Sequence, residues 1–169
     1  MILVDATTLY DLGQIGELEL LGAFDGKIVI LEAVAAEVTV EPAATNLGRY
    51  LDEYDIETTV EGLAAFEDDA MALLDADERT SDVALVAALL AGRDGEEDVA
   101  LVSGDKRLRA IADGLGATVT SAFGVVVRAT ADDKYFSTSQ AKRVIRRTDH
   151  HGVQMTGTLR ERAIGEVSD

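Results

Sequence analysis

The chain has 169 residues, a length that suits one domain with a substantial hydrophobic core. It contains no cysteine, so disulfide bonds, cysteine-bound zinc and thiol catalysis are excluded. The net charge is −17, but 47% of the residues are hydrophobic. This combination indicates a folded core beneath an acidic surface rather than a disordered chain.

The charge is unevenly distributed along the chain. Residues 1–105 contain 25 acidic and 4 basic residues, whereas residues 106–169 contain 7 acidic and 11 basic residues. This asymmetry predicts one face for a metal ion and another for a polyanion. The scarcity of lysine, 4 residues against 32 acids, resembles proteins of salt-loving archaea, in which salt screens the repulsion between carboxylates.

The sequence contains no apolar stretch that reaches the roughly 18 residues of a membrane-spanning helix. Asp5 interrupts the apolar run MILV that opens the chain, and no basic segment precedes that run as it does in a secretory leader. We therefore expect a cytoplasmic protein without a membrane segment.

Apolar periodicity predicts alternating strands and helices in the first part of the chain. In order, we expect a strand at residues 1–4, two helical pieces within 6–24, a strand at 27–31, and helices at 32–40 and 43–54. Gly13 and Gly16 are expected to separate the two helical pieces. The helix at 32–40 is expected to end at Glu41, because a residue before proline disfavours the helical conformation.

The same pattern continues in the second part. We expect strands at residues 56–60, 99–102 and 117–120, and helices at 61–75, 82–90, 106–114 and 123–129. Thr80 and Ser81 are suitable residues to cap the helix at 82–90. Strands that alternate with helices predict an α/β fold, a three-layer α/β/α sandwich with a central, mainly parallel sheet. Residues 131–169 are expected to add a C-terminal helical extension, with the segments SQAKRVIRR and TGTLRERAIGEV, packed on the domain formed by residues 1–130.

Four acids fall where a parallel sheet can bring them together, since ligand sites lie beyond the carboxyl ends of the strands. Asp5 ends the first strand, and Asp105 follows the strand VALV after a Ser-Gly pair. Glu37 interrupts an apolar helical face, and Asp82 lies in the first turn of a helix. Each acid alone also fits a structural role, as a helix cap, a solvated position or a partner of the helix dipole.

Together these positions resemble the acidic positions of the PIN-domain nucleases. The matching segments are ILVDATTL, with Asp5 and the hydroxyl residue Thr7, then VAAEV, TSDVALVAALL and LVSGDKRLRAIADGLGATV. The resemblance covers roughly residues 1–130 and implies the same three-layer fold. Many family members carry a second acid or an asparagine where this chain has Gly104, so fewer metal ligands are expected.

The resemblance implies a Mg²⁺- or Mn²⁺-dependent phosphodiesterase that acts on single strands, usually of RNA. Carboxylates without histidine or cysteine suit such hard cations, which orient a water, lower its pKa and neutralise charge on the scissile phosphate. Asp5 and Asp105 would be the principal metal ligands, with Asp82 a ligand directly or through water. Glu37 would orient or deprotonate the attacking water. The supporting residues would be Thr7 and Ser103.

Basic residues offer RNA a route to this acidic protein. They lie beside the fourth acid and on the C-terminal extension: Lys106, Arg107, Arg109, Lys142, Arg143, Arg146 and Arg147. The last four have helical spacing and form one basic edge that could follow phosphates. The alternative is that these residues balance the protein's own acidic surface. Further expected partners are a cognate antitoxin, as for family toxins, and a second copy in a homodimer.

Other interpretations stay open at this stage. The main alternative function is a non-catalytic PIN-like module that binds RNA or protein. A receiver-like signalling domain also places aspartates at strand ends, but it needs paired acids near the first strand, and here Ala6 follows Asp5. His150 and His151 resemble surface residues more than metal ligands, because no acids surround them in the sequence.

Overall fold

A computed structural model describes residues 1–131 and 142–146 of the chain. Within these residues four short strands form one parallel sheet in the order β2-β1-β3-β4. The strands are β1 (Ile2–Val4), β2 (Ile28–Val29), β3 (Ala100–Val102) and β4 (Thr118–Thr120). This sheet confirms the predicted α/β class with a parallel sheet.

Helices flank the sheet and complete the sandwich. They are α1 (Ala6–Ile15), α2 (Glu32–Ala35), α3 (Ala43–Glu53), α4 (Glu67–Leu74), α5 (Ser81–Asp94), α6 (Lys106–Gly114) and α7 (Ala122–Ala131), with 3-10 helices at Leu18–Ala23 and Leu63–Phe66. The predicted helix at residues 106–114 is confirmed residue for residue. The expected cap of α5 is also present, because the hydroxyl of Thr80 accepts a hydrogen bond from the main-chain N–H of Val83.

The core lies on the two central strands. Leu3, Val4, Leu101 and Val102 are inaccessible to solvent, as expected for parallel strands that are covered on both faces. The register pairs Val4 of β1 with Val102 of β3. The residues that follow these two strands therefore begin at the same level of the sheet.

The first helical region is divided at one glycine and not at two. Helix α1 continues through Gly13 and ends at Ile15, where Gly16 adopts a left-handed conformation with φ 71°. Gly13 instead permits close packing between helices, since a Cβ atom there would lie 3.1 Å from the Cα atom of Ala43 in α3. The prediction that Gly13 helps to break the helix was wrong.

The helix predicted at residues 32–40 ends at Ala35 and is only four residues long. The chain then turns, and the buried side chain of Val38 anchors this turn in the core. Thr39 and Val40 are β-branched and lose side-chain entropy in a helix, which favours the turn. Glu41 takes another role, because its carboxylate accepts hydrogen bonds from the N–H and the hydroxyl of Thr45 in the first turn of α3.

Two further predictions need correction. The strand expected at residues 56–60 is reduced to one parallel bridge between Glu57 and Val29. Two main-chain bonds accompany it, from the N–H of Ile30 to the carbonyl of Glu57 and from the N–H of Glu32 to the carbonyl of Thr58. The helix expected at residues 61–75 is a 3-10 helix followed by α4. This segment begins after Gly62, with φ 77°, and ends at Asp75, with φ 51°.

The C-terminal region is described only at residues 142–146, which are helical. Val144 and Ile145 are buried there. The remainder of the two predicted tail helices, together with Arg147, His150 and His151, lies outside the described residues. In the part of the chain that is described, no helix is both long and apolar enough to cross a membrane.

The packing at Gly13 predicts a marked loss of stability in the variant Gly13→Val. The added side chain would meet the main chain of Ala43, so the free energy of unfolding should fall by about 2 kcal/mol. Urea denaturation would measure this change. The matched control is Gly48→Val, because Gly48 is exposed within α3 and has open space around it. That variant should differ from the wild type by less than about 0.5 kcal/mol, and equal losses in both variants would contradict the packing argument.

Candidate metal and nuclease site

Asp5 and the loop that contains Asp105 lie side by side at the carboxyl edge of the sheet. Asp5 follows β1 directly, and residues 103–105, which we call the β3–α6 loop, follow β3. The main-chain N–H of Asp5 donates to the carbonyl of Val102 (3.0 Å), which holds the ends of the two strands together. Asp5 is 3% exposed, whereas Asp105 is exposed.

The carboxylate of Asp5 accepts three hydrogen bonds. Its Oδ1 atom accepts from the N–H of Thr8 (2.8 Å), which makes Asp5 the N-cap of α1. Its Oδ2 atom accepts from the hydroxyls of Thr7 (2.7 Å) and Ser103 (2.5 Å). A carboxylate offers about four acceptor positions, so one position on Oδ1 remains for a further ligand.

Ser103 connects Asp5 to Asp105. It is inaccessible to solvent, and its hydroxyl donates to Asp5 while it accepts from the main-chain N–H of Asp105 (3.0 Å). Asp105 in turn caps α6, because its Oδ1 atom accepts from the N–H of Leu108 (2.8 Å). The two acids at the strand ends are therefore fixed relative to each other by one buried hydroxyl.

Gly104 is required by a close approach to Thr7. The N–H of Gly104 donates to Oγ1 of Thr7 (3.2 Å), and a Cβ atom at this position would lie only 2.8 Å from that oxygen. The space that a side chain at position 104 would need is taken by a hydroxyl bound to Asp5. Any side chain at position 104 would therefore require the hydroxyl of Thr7 to move.

Glu37 and Asp82 approach the same edge from neighbouring elements. Glu37 lies in the turn after α2, where its Oε1 atom accepts from the hydroxyl of Ser81 (2.5 Å) at the start of α5. Asp82 is the next residue of that first turn. Burial raises the pKa of Asp82, and the negative charges of Asp105, Glu37 and Asp5 raise it further, whereas Arg107 lowers it.

The pKa of Asp82 therefore responds to all three other predicted acids. We call these residues the acidic cluster: Asp5, Glu37, Asp82 and Asp105. As the side chains stand, residues 1–131 and 142–146 contain no group of three acidic or histidine residues close enough to hold a metal ion. The fold brings Asp5, Glu37 and Asp105 within electrostatic range of Asp82, but it does not gather the carboxylates around a common point.

The predicted RNA-binding residues differ in their surroundings. Lys106 is exposed, while Arg107 donates to the carbonyl of Leu74 at the end of α4 and Arg109 donates to the carbonyl of Ser103 (2.6 Å). On the C-terminal segment, Arg143 and Arg146 are exposed. The two arginines of α6 thus make contacts within the protein that the sequence did not indicate.

Asp11 is a residue near this edge that sequence reasoning missed. It lies one turn after Thr7 on α1, so the two side chains share a helix face. Burial and, to a smaller extent, the charge of Asp5 raise the pKa of Asp11 to about 6. An acid between the apolar Leu9 and Leu12 of a helix was the available signal, but it did not distinguish Asp11 from a solvated position.

The chain belongs to a family of PIN domains. The family model DUF3368, a PIN domain, matches residues 1–169, so the match includes the C-terminal segment as well as the acidic cluster. No curated protein and no solved structure gives a significant match. PIN domains are generally nucleases and usually use divalent metal ions, which places this chain in a nuclease-like family.

The pKa of Asp11 predicts that its ionised form destabilises the fold. Its contribution to stability is complete below about pH 4, where the carboxyl is protonated in both states, and is lost as the pH rises through about 6. Asp11→Asn should therefore raise the free energy of unfolding near neutral pH by about 1 kcal/mol, a figure that allows for solvent screening.

Urea denaturation of the two proteins in EDTA, at several values between about pH 4 and pH 8, would measure this difference. The gain should disappear at the acidic end of the range. A variant that has the stability of the wild type at neutral pH, or a gain that persists at low pH, would contradict the burial of an ionised Asp11.

Proposed function

We propose that this protein is a Mg²⁺- or Mn²⁺-dependent ribonuclease that hydrolyses phosphodiester bonds in single-stranded RNA at the acidic cluster. The observation that carries the proposal is the hydroxyl of Ser103, which joins Asp5 to the main-chain N–H of Asp105 at the carboxyl ends of two paired strands. The charges of Asp105, Glu37 and Asp5 also raise the pKa of Asp82, so the fourth acid lies near the same edge of the parallel sheet. This edge is where α/β folds bind ligands.

The donors of the cluster fit a hard cation. All are carboxylate oxygens, the ligand type that Mg²⁺ and Mn²⁺ prefer, and Mg²⁺ keeps several of its waters. Water in the coordination shell allows an ion to be held by carboxylates that do not meet at one point. Asp82, Asp105 and Glu37 are exposed, so hydrated ions can reach them, whereas Asp5 is buried and held by three hydrogen bonds.

Each residue of the cluster has a proposed role. Asp5 would bind the ion through the free position on Oδ1, with Asp105 and Asp82 as further ligands, directly or through water. Glu37 would accept a proton from the attacking water, with its orientation maintained by Ser81. Thr7 and Ser103 would hold Asp5 in place. A bound divalent ion would supply charge neutralisation at the scissile phosphate and activation of water.

A non-catalytic PIN-like module that binds RNA or protein is the second candidate. The specific observation in its favour is that Asp5 and Asp105 both cap helices, through Thr8 and Leu108. These bonds stabilise the fold whether or not the carboxylates hold a metal ion. Cleavage in the presence of Mn²⁺ separates the two candidates directly.

The principal prediction is that the wild-type protein cleaves single-stranded RNA with Mn²⁺ and that Asp5→Asn does not. The neutral amide would remove the charge of the one buried ligand. The cleavage rate should fall by more than about 100-fold, because the loss of an outer-shell partner alone costs 10–100-fold. Gel analysis of a labelled, unstructured RNA would measure the rate.

The matched control for this experiment is Asp94→Asn. Asp94 is exposed and ends α5 at roughly 18 Å from the first turn that contains Asp82. This variant loses the same charge and should keep the wild-type rate. Equal rates in the wild type and in Asp5→Asn would refute the assignment, and a wild type without cleavage would favour the non-catalytic module.

Binding of the ion can be tested without RNA. Mn²⁺ at about 100 times its Kd should raise the Tm of the wild type by about 5–10 °C, since binding to the folded state adds roughly 2.7 kcal/mol. Calorimetry would measure the change at constant ionic strength, because added salt alone screens a protein of net charge −17. Asp5→Asn should lose most of the rise and Asp94→Asn should retain it. An identical rise in all three proteins would indicate screening and no specific site.

The partners expected from the sequence remain predictions. RNA is the proposed substrate, with Lys106 beside the cluster and the exposed Arg143 and Arg146 as candidate phosphate contacts. A cognate antitoxin and a homodimer are proposed partners on the basis of the family resemblance alone.

A further inference from the structure

The two arginines of α6 bind main-chain carbonyl oxygens. Arg107 reaches the carbonyl of Leu74 and so joins α6 to the end of α4. Arg109 turns back toward the start of its own helix, where Nη1 donates to the carbonyl of Ser103 at 2.6 Å. The half-buried Arg109 therefore holds the β3–α6 loop, and Arg107 does not.

With Arg109 in place, every polar group of Ser103 has a partner. The N–H of Ser103 donates to the carbonyl of Thr120 (2.9 Å), and its hydroxyl bonds to Asp5 and to the N–H of Asp105. The carbonyl is bound by the guanidinium of Arg109. Ser103 is inaccessible to water, so a water molecule cannot easily replace a hydrogen bond that Ser103 loses.

The other side of the same loop is held by the first main-chain bond of α6, in which the N–H of residue 109 donates to the carbonyl of Asp105 (3.1 Å). The side chain of Arg109 adds the contact on the Ser103 side, so both neighbours of Gly104 are bonded. Glycine has more backbone freedom than any other residue, and contacts on both sides of it restrict the loop. The contact to Ser103 is a charge-assisted hydrogen bond, which is stronger than a bond between neutral groups.

We propose that Arg109 is a positioning residue that fixes the Asp105 carboxylate relative to Asp5, and that it does not bind RNA phosphates. The role of these acids as metal ligands rests on the proposed function. Arg109 then acts on metal affinity through Ser103, whereas Lys106, exposed on the same helix, acts on RNA affinity.

The test compares Arg109→Ala, Arg109→Lys and Lys106→Ala with the wild type. Titration calorimetry with Mn²⁺ and no RNA should show affinity about 10-fold weaker for Arg109→Ala, as for the loss of other residues that orient metal ligands. Arg109→Lys keeps the charge but not the planar geometry, so its loss should be smaller. Lys106→Ala should bind Mn²⁺ no more weakly than the wild type, because this variant loses only a positive charge near the cluster.

RNA binding in EDTA, measured across a range of salt concentrations, should show the opposite order. Lys106→Ala should bind RNA more weakly and with a smaller salt dependence, because it loses one phosphate contact. Arg109→Ala should keep the salt dependence of the wild type. If Arg109→Ala reduces the salt dependence as Lys106→Ala does, Arg109 contacts phosphate and the positioning role is wrong.

Amide hydrogen exchange separates failure of this inference from failure of the proposed function. The N–H of Asp105 should exchange faster in Arg109→Ala than in the wild type or in Lys106→Ala, whether or not Mn²⁺ binds. If the wild type binds no Mn²⁺, the proposed function fails and the exchange result still decides the positioning role. Should Arg109→Ala not fold, Arg109→Lys provides the same comparison. A folded Arg109 variant with wild-type Mn²⁺ affinity and wild-type exchange at Asp105 would overturn the inference.

Discussion

The hydroxyl of Ser103 is the interaction on which the geometry of the site depends. It connects Asp5, at the end of β1, to the main-chain N–H of Asp105, at the start of α6. Because β1 and β3 are paired in register, strands of only three residues are enough to bring these groups to the same level. The bonds are shielded from water, so the removal of one partner would leave a buried polar group unpaired, at a cost of about 1–3 kcal/mol. The fold thus holds its acids by buried hydrogen bonds rather than by strand length.

Nearby hydrogen-bond donors and one positive charge stabilise the carboxylates of the acidic cluster. Asp5 is stabilised by two hydroxyls and one N–H, and the positive charge of Arg107 lowers the pKa of Asp82. These contacts do not remove the repulsion, since burial and the neighbouring acids still raise the pKa of Asp82 overall. A cation bound there would favour the ionised carboxylates, and binding should therefore strengthen as they lose their protons. The acidic surface elsewhere should not bind a cation in this way, because solvent and salt screen its charges.

The sequence predicted the regular parts of the fold and failed where tertiary contacts decide the local conformation. Strand and helix periods placed β1, β3, β4 and α6 to within a residue or two. The apolar residues of β1 and β3 are almost all buried, and α6 buries Leu108 and Ala112 on one face. Glycine at position 16 ends α1 as expected, but glycine at position 13 does not interrupt it. Its role depends on Ala43 of another helix. Likewise, α2 ends at Ala35 and the side chain of Val38 is buried in the core, a contact that local propensity does not predict.

In the site, as in the fold, the sequence predicted features that depend on neighbouring residues and missed features that depend on tertiary contacts. The four acids could be proposed because three of them follow strands or caps that the sequence reveals, and because together they resemble the acidic positions of the PIN-domain nucleases. The sequence could not separate the roles of the three basic residues of α6, Lys106, Arg107 and Arg109. All three lie within about one helical turn of Asp105. Because a helix advances about 100° per residue, their side chains point in different directions. Arg107 meets a carbonyl 33 residues earlier in the chain, and Arg109 meets the loop before its own helix. A basic residue beside an acidic site is available to a substrate only if its charged group has no acceptor within the protein. Of these three residues, Lys106 fits that description best.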